Sequence, residues 1–380
     1  MYYTVFFLFS LVFCAERADV YFTKIITPER IVDIFEKLNV ELTGKIALKV
    51  HSGEPKGPYF LRPNFLQKIY DHTQGTFVEC NVAYPSERLL TENHTRVLRD
   101  NGWYDNDRRF QIMDENSDDD ISFTVDPHNK IDITYAGKHL ESYDSCLVLA
   151  HFKGHGMGGF GGALKQLSIG FASTAGKTWI HSAGVSKDYH EFFNTTASQE
   201  DFTASMADAA SAIVKYFKNK GTIAYINVIA NISLSCDCAG VSAPAPKIKD
   251  IGILASTDPV AIDQASLDLV KSTQEEGTQD FINQVARLLG QNTIDKAEAL
   301  GVGTKQYNLI DIDDEPGSDT SDSDTVEPGS DEHDTTGPDS DTVEPGSDRH
   351  DTTGPVTDQQ KGNFISLSFS LIFLLLVSLV

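Results

Sequence analysis

Short apolar runs alternate with amphipathic stretches along most of this chain. The runs at 45–51, 75–80, 145–150, 222–230 and 250–256 are bounded by polar or turn residues, which predicts buried strands. Between them the apolar positions recur at helical spacing. One helix is predicted over 27–38, with Thr27 as N-cap and Pro28 at the first position. Others are predicted over 62–72, 86–100 and 201–220, and a last one opens at Asp258-Pro259 and runs to Ser272. The alternation predicts an α/β fold, a mostly parallel sheet flanked by helices, over residues 19–311.

Both ends depart from this pattern. Residues 1–15 are an apolar run ending at Ala15 before Glu16 and Arg17, the form of a secretory signal peptide. Residues 364–380 are apolar or small and carry no charge. With small residues and a polar spacer upstream, they read as a lipid-anchor (GPI-type) signal, the rival being a retained transmembrane helix. Residues 312–363 form an acidic stalk with two 17-residue repeats, Asp322–Pro338 and Asp339–Pro355, differing only where Glu332 becomes Arg349. Such a composition has too little apolar surface to offset its ordering entropy, so the stalk is expected to be disordered. Residues 311–363 carry 17 acidic and 2 basic residues, −15 of the chain's net −24, so most of the acidity belongs to the stalk. The expected location is the cell surface, reached by the secretory pathway. Sequons at Asn93, Asn194 and Asn231 are compatible with a glycoprotein. No basic patch suggests nucleic acid as a partner.

The candidate chemistry lies after the run at 145–150. Six glycines fall within 154–162, framed by His151, Lys153, His155 and Lys165, with His181 further on. Glycine lets backbone and ligand approach closely, and ligands of open α/β sheets bind beyond the carboxyl ends of strands. The P-loop pattern fails, because Gln166 follows Lys165. The helical zinc motif fails too, because Gly154 separates His151 from His155. What remains is a pocket in which His155, Lys165 and His181 converge as catalytic candidates, with Gly158, Gly159, Gly161 and Gly162 beside a small anionic ligand. His51 and Glu54 leave the 45–51 strand at the same edge and join the binding candidates. Cys236 and Cys238 offer soft metal ligands alongside His155 and His181, or a redox pair, or pairing with Cys80 or Cys146. A Cys-x-Cys disulfide closes a very small ring, and two thiols do not complete a zinc site.

Five stretches resemble the domain of unknown function family 362, often labelled an iron–sulfur-centre protein. They are 48–54, 151–165, 169–177, Cys236-Asp237-Cys238 and 251–266. The ferredoxin-like Cys-x-x-Cys insert of many members is missing, since His181 leads to Asp201 with no cysteine between. An iron–sulfur cluster is therefore not expected. The order His155, Gly159-Phe160, Lys165, His181 is also similar to that of lactate racemase-like proteins. That resemblance implies a nickel-containing nucleotide anchored on Lys165, the two histidines supplying metal ligation and acid–base work, and proton or hydride transfer on a small hydroxy acid. The residues themselves leave open a non-catalytic surface binding protein and a metal or redox protein built on Cys236 and Cys238.

Overall fold

A computed structural model describes residues 17–115, 120–195 and 197–313. The expected signal peptide, the repeats and the apolar C-terminal segment lie outside the described residues. Ile312 and Asp313, assigned above to the start of the stalk, belong to the folded part. Ile312 is buried and donates its N–H to Phe22, while Asp313 accepts from Thr23 Oγ1 at 2.6 Å and Arg30 at 2.9 Å.

The described residues contain twelve strands. They are β1 Ala18–Thr23, β2 Ile46–Lys49, β3 Thr76–Glu79, β4 Phe110–Ile112, β5 Asp120–Thr124, β6 Ile133–Gly137, β7 Ser145–His151, β8 Lys153–His155, β9 Gly159–Gly161, β10 Ile223–Ile229, β11 Gly252–Ser256 and β12 Tyr307–Asp311. Eight form one sheet in the order β12-β1-β11-β10-β7-β2-β3-β4. All its neighbours pair in parallel except β11, which is antiparallel to both β1 and β10. The fold is α/β with a mostly parallel sheet, as the pattern predicts.

The unbroken apolar character of the central strands follows from burial on both faces. In β7, Cys146, Val148 and Ala150 enter one core, while Leu147 and Leu149 enter the other. Helices Pro28–Lys37 and Gln67–Thr73 cover the second face through Ile31, Ile34 and Ile69. Helices Gln199–Lys220 and Pro259–Ser272 cover the first through Ala207, Ile213, Val260 and Leu267.

Two helices start later than the apolar spacing predicts. Pro63 sits in successive turns (Phe65 N–H to Arg62, Leu66 N–H to Pro63), so the helix expected from 62 begins at Gln67. The helix expected from 86 begins at Thr91, because Arg88 turns inward to pair with Glu54 at 2.9 Å and Glu79 at 3.2 Å.

Strand order reverses between β2 and β7. The chain moves outward from β2 to β3 and β4, returns to β7, and then proceeds the other way to β10. Such a reversal opens a crevice at the carboxyl ends of the two strands. The segments leaving β2, β7 and β10 all emerge at that edge, because the three strands are parallel.

A lysine, histidine and thiol crevice

The chain leaving β7 alternates His151, Lys153 and His155, which in extended backbone share one face. Asp237, which arrives from beyond β10, meets this face. Its carboxylate takes Lys153 Nζ at 2.7 Å and both oxygens lie 3.1 Å from His151 Nδ1. His151 Nε2 donates to the Ala230 carbonyl at 2.6 Å, locking the ring between β10 and the cysteine loop. Burial opposes the Asp237 charge, but His151 and Lys153 outweigh it and hold the carboxyl far below its usual range. Lys153, disfavoured by burial, is held charged by Asp237.

Asp237 thereby fixes its two neighbours. Cys236, Cys238 and His155 present ligand atoms within 4.8 Å of one another. A hydrogen bond from Cys238 holds the Cys236 thiol well below its ordinary range, with His155, Lys165 and Lys153 adding to the effect against burial. The Cys238 thiol is pushed up correspondingly by the same hydrogen bond and by burial. Cys80 donates to the Phe171 carbonyl and Cys146 is buried in the sheet, so neither pairs with this loop, and all four thiols are free.

The glycine-rich segment is a hairpin, β8 against β9, with Lys153 opposite Gly161 and His155 opposite Gly159. His155 Nδ1 accepts the N–H groups of Gly158 at 2.9 Å and Met157 at 3.2 Å, which leaves the ring proton on Nε2. Burial pushes His155 down to about 4, Lys165 contributing, so the ring is neutral near pH 7. The glycines divide by what surrounds them. A Cβ at Gly162 would stand 2.4 Å from Asp263 Oδ1, and Gly159 has φ +81° against Gly290. At Gly158 and Gly161 a Cβ meets only ordinary contacts, and at Gly156 nothing within 4 Å. The N–H groups of Gly158, Ala163 and Leu164 are taken by His155 and Asp263, so the hairpin offers less free backbone to a ligand than its composition suggests.

Lys165 ends a short helical turn, Ala163–Lys165, whose first two N–H groups are received by Asp263 at 2.7 and 2.9 Å. Its stem lies 3.6 Å from a Gly161 Cβ position. Among the described residues its ammonium makes no hydrogen bond or ion pair, although the side chain is half-buried. His181 ends helix Thr174–His181 and stacks on Phe202, ring centroids 4.4 Å apart. Its Nδ1 is buried and has no partner. Burial, with His155, Lys165 and Lys177 nearby, holds it well below the usual histidine range. The structure therefore groups Lys165 with both histidines and both cysteines, but His181 lies outside the tight cluster of His155, Cys236 and Cys238.

The β2 exit has two roles. His51 Nδ1 accepts the Gly53 N–H at 3.1 Å, and its charge would act on Glu79 and Asp237. Glu54 is saturated: Tyr84 and Ser86 donate to it at 2.7 Å and Arg88 Nε at 3.0 Å. Burial raises the Glu54 pKa, but Arg88 and these donors outweigh it and hold the carboxyl low, so Glu54 braces the crevice wall. Lys49, buried beneath, bonds Val50 O and Gln166, and burial brings it down to about 8. Sequence reasoning singled out neither Lys153, Asp237, Lys49 nor Asp263 as site residues. The signal for the first two was the two-residue spacing from His151 to His155 and the acid between the cysteines.

Fold and crevice define an α/β protein with a basic, thiol-bearing cleft at a strand-order reversal. The chain belongs to the family described as Domain of unknown function (DUF362), which matches residues 46–268. No curated protein matches it. Among solved structures it is similar to a protein from Thermotoga maritima, at 12% identity and TM-score 0.37, over 73% of this chain and 60% of that one. It is also similar to the lactate racemase apoprotein from Thermoanaerobacterium thermosaccharolyticum, at 14% identity and TM-score 0.33, over 56% of this chain and 51% of that one. The chain thus spans less than two thirds of either structure.

Proposed function

We propose that the crevice binds a small anionic ligand or an anionic, metal-containing cofactor, and moves a proton or hydride on a small hydroxy acid. One observation carries this reading. Lys165 is a half-buried cation without a partner among the described residues, and the unpaired His181 Nδ1 belongs to the same group. A buried polar atom left unpaired costs about 1–3 kcal/mol, which a ligand would recover.

The residues fit the nickel-containing nucleotide that the motif order implies. Lys165 would hold it, and His181 Nδ1 is an open position for it. When bound, such a group supplies a hydride acceptor. The chain's own contribution is separate. His181 is neutral near pH 7 with an unpaired Nδ1 to take a proton, His155 offers the proton on its Nε2, and Lys165 neutralises a carboxylate or phosphate. The walls, braced by Asp237 and by Glu54 with Arg88, keep these groups in register.

The second reading, a metal or redox role for Cys236 and Cys238, is favoured by the gathering of both sulfurs and His155 within 4.8 Å. The surface location, through a cleaved leader and a C-terminal lipid anchor, belongs to the same proposal. Among the described residues no helix is long and apolar enough to cross a membrane, and residues 364–380 lie outside them.

The test is calorimetric titration of the full chain with inorganic phosphate and with lactate, plus metal analysis of the purified protein. Lys165→Ala should weaken anion binding about tenfold or more, the equivalent of one charge-assisted hydrogen bond of ~1.5–3 kcal/mol, with unchanged circular dichroism. Unchanged binding in Lys165→Ala, or no binding by the parent chain and no metal, removes the reading.

A further inference from the structure

From the cluster of Cys236 Sγ, Cys238 Sγ and His155 we infer a second site, a two-thiolate seat for a soft monovalent metal cation, copper(I) in class. It is independent of the anion reading, since its ligands are the sulfurs and not Lys165.

The donor set comes first. Two sulfurs lie within 4.8 Å of one another, on a loop pinned by Asp237 between them. Two metal–sulfur bonds laid end to end span roughly twice the ~2.3 Å of a zinc–thiolate bond, so one ion fits between them with little movement. Soft thiolates select copper(I), zinc and iron–sulfur chemistry among the common metals. The remaining distinction rests on the third and fourth ligands.

A tetrahedral zinc ion needs four donors. His155 is the third group in reach, but its Nδ1 lone pair is occupied by the N–H groups of Met157 and Gly158. The ring proton then sits on Nε2, where a metal would have to displace it. Asp237 cannot serve either, because both its oxygens are taken by Lys153 and His151. Cys80 and Cys146 are placed elsewhere. Two sulfurs are the donors available, which suits an ion content with two ligands.

Charge makes the same distinction. Lys153 and Lys165 lie close enough to act on Cys236. A monovalent ion held between two thiolates leaves the site at −1 in their field: each S–H bond broken on entry gives its proton to solvent, two metal–sulfur bonds form, and nothing is oxidised or reduced. A divalent ion between the same sulfurs would leave no net charge to face the two ammonium groups. Cys238 is half-buried while Cys236 is buried, so the ion has an approach from the Cys238 side.

The experiment titrates the reduced full-length chain with copper(I) held by a chromophoric chelator, and in parallel with zinc(II) and nickel(II). Expected are one tightly held copper(I) per chain, proton release on binding, and loss of two titratable thiols. Cys236→Ser and Cys238→Ser should each weaken copper(I) by more than ~100-fold, beyond the 10–100-fold typical of outer-sphere changes. Cys80→Ser and Cys146→Ser should leave it unchanged, and His155→Ala should leave it within that outer-sphere range. Phosphate and lactate titrations of the cysteine variants report the anion site separately and also show that the chain is folded. Copper(I) binding that survives Cys236→Ser/Cys238→Ser overturns the assignment. So does a preference for zinc(II) or nickel(II) that is lost in His155→Ala, which would make His155 a ligand.

Discussion

His181 shows how one residue's burial sets a pH dependence. Its folded pKa lies well below the unfolded value of about 6.5, so the unfolded chain binds the extra proton first as pH falls. Stability attributable to the neutral ring is present above about pH 6.5 and is lost as the pH drops through that value. His181→Phe keeps an aromatic ring against Phe202 and Phe192 and removes the unpaired Nδ1. The variant should therefore be more stable than the parent at pH 5, with the difference shrinking by pH 7.5, as read from urea unfolding at the two values. A constant difference would show that His181 does not titrate on unfolding. The same residue marks the limit of the sequence. That His155, Lys165 and His181 would gather was legible from the glycine spacing and the strand before it. That His155 spends its Nδ1 on its own hairpin, and that Glu54 spends its carboxylate on Tyr84, Ser86 and Arg88, was not. Those partners are distant in sequence or set by a turn, and no local periodicity encodes them.

At the scale of elements, the central strands and capped helices were legible because both carry local signals. β7 and β10 are buried along their whole length, and Thr27 and Asp258 accept N–H groups of their own first turns. Apart from β1, the strands of the main sheet and ribbon that escaped notice are short, edge-lying or polar. β4 has three residues, and β5 with β6 forms a separate two-stranded ribbon. The hairpin of β8 and β9 escaped for another reason, since its glycines resemble an open loop. Its energetics are testable at two positions. Gly162→Ala drives a Cβ into the Asp263 carboxylate that caps the Lys165 turn. Overpacking of this kind costs about 1–3 kcal/mol, and here it also shifts Lys165, so thermal stability and anion affinity should fall together. Gly156→Ala meets nothing within 4 Å and should change neither by more than about 0.5 kcal/mol. Equal losses in both variants would mean that the hairpin tolerates no side chain anywhere, and that Asp263 has no special part in holding the turn.

Among the described residues, the first and last strands of the chain complete one edge of the sheet. β12 pairs in parallel with β1 at the sheet edge, so residues almost 290 positions apart lie side by side. Beyond β12 the chain is still held. Ile312 is buried, and Asp313 accepts from Thr23 Oγ1, the Lys24 N–H and Arg30. The acidic composition that suggests a stalk from 312 is therefore misleading by two residues, because the last aspartate of the fold looks like the first of the tract. Three hydrogen bonds to one carboxylate, two of them to neutral donors, are each worth about 0.5–3 kcal/mol. A chain ending at Asp313 should melt at the temperature of one ending at Lys361, if the repeats contribute nothing to the fold. A chain ending at Asp311 should melt several degrees lower, since it lacks the buried Ile312 and the Asp313 clamp across β1 and the following helix. Asp313→Ala in the longer chain should reproduce part of that loss. Equal melting of all three truncation lengths would show that the clamp is dispensable, and a lower temperature for the Asp313 end than for the Lys361 end would show that the repeats support the domain.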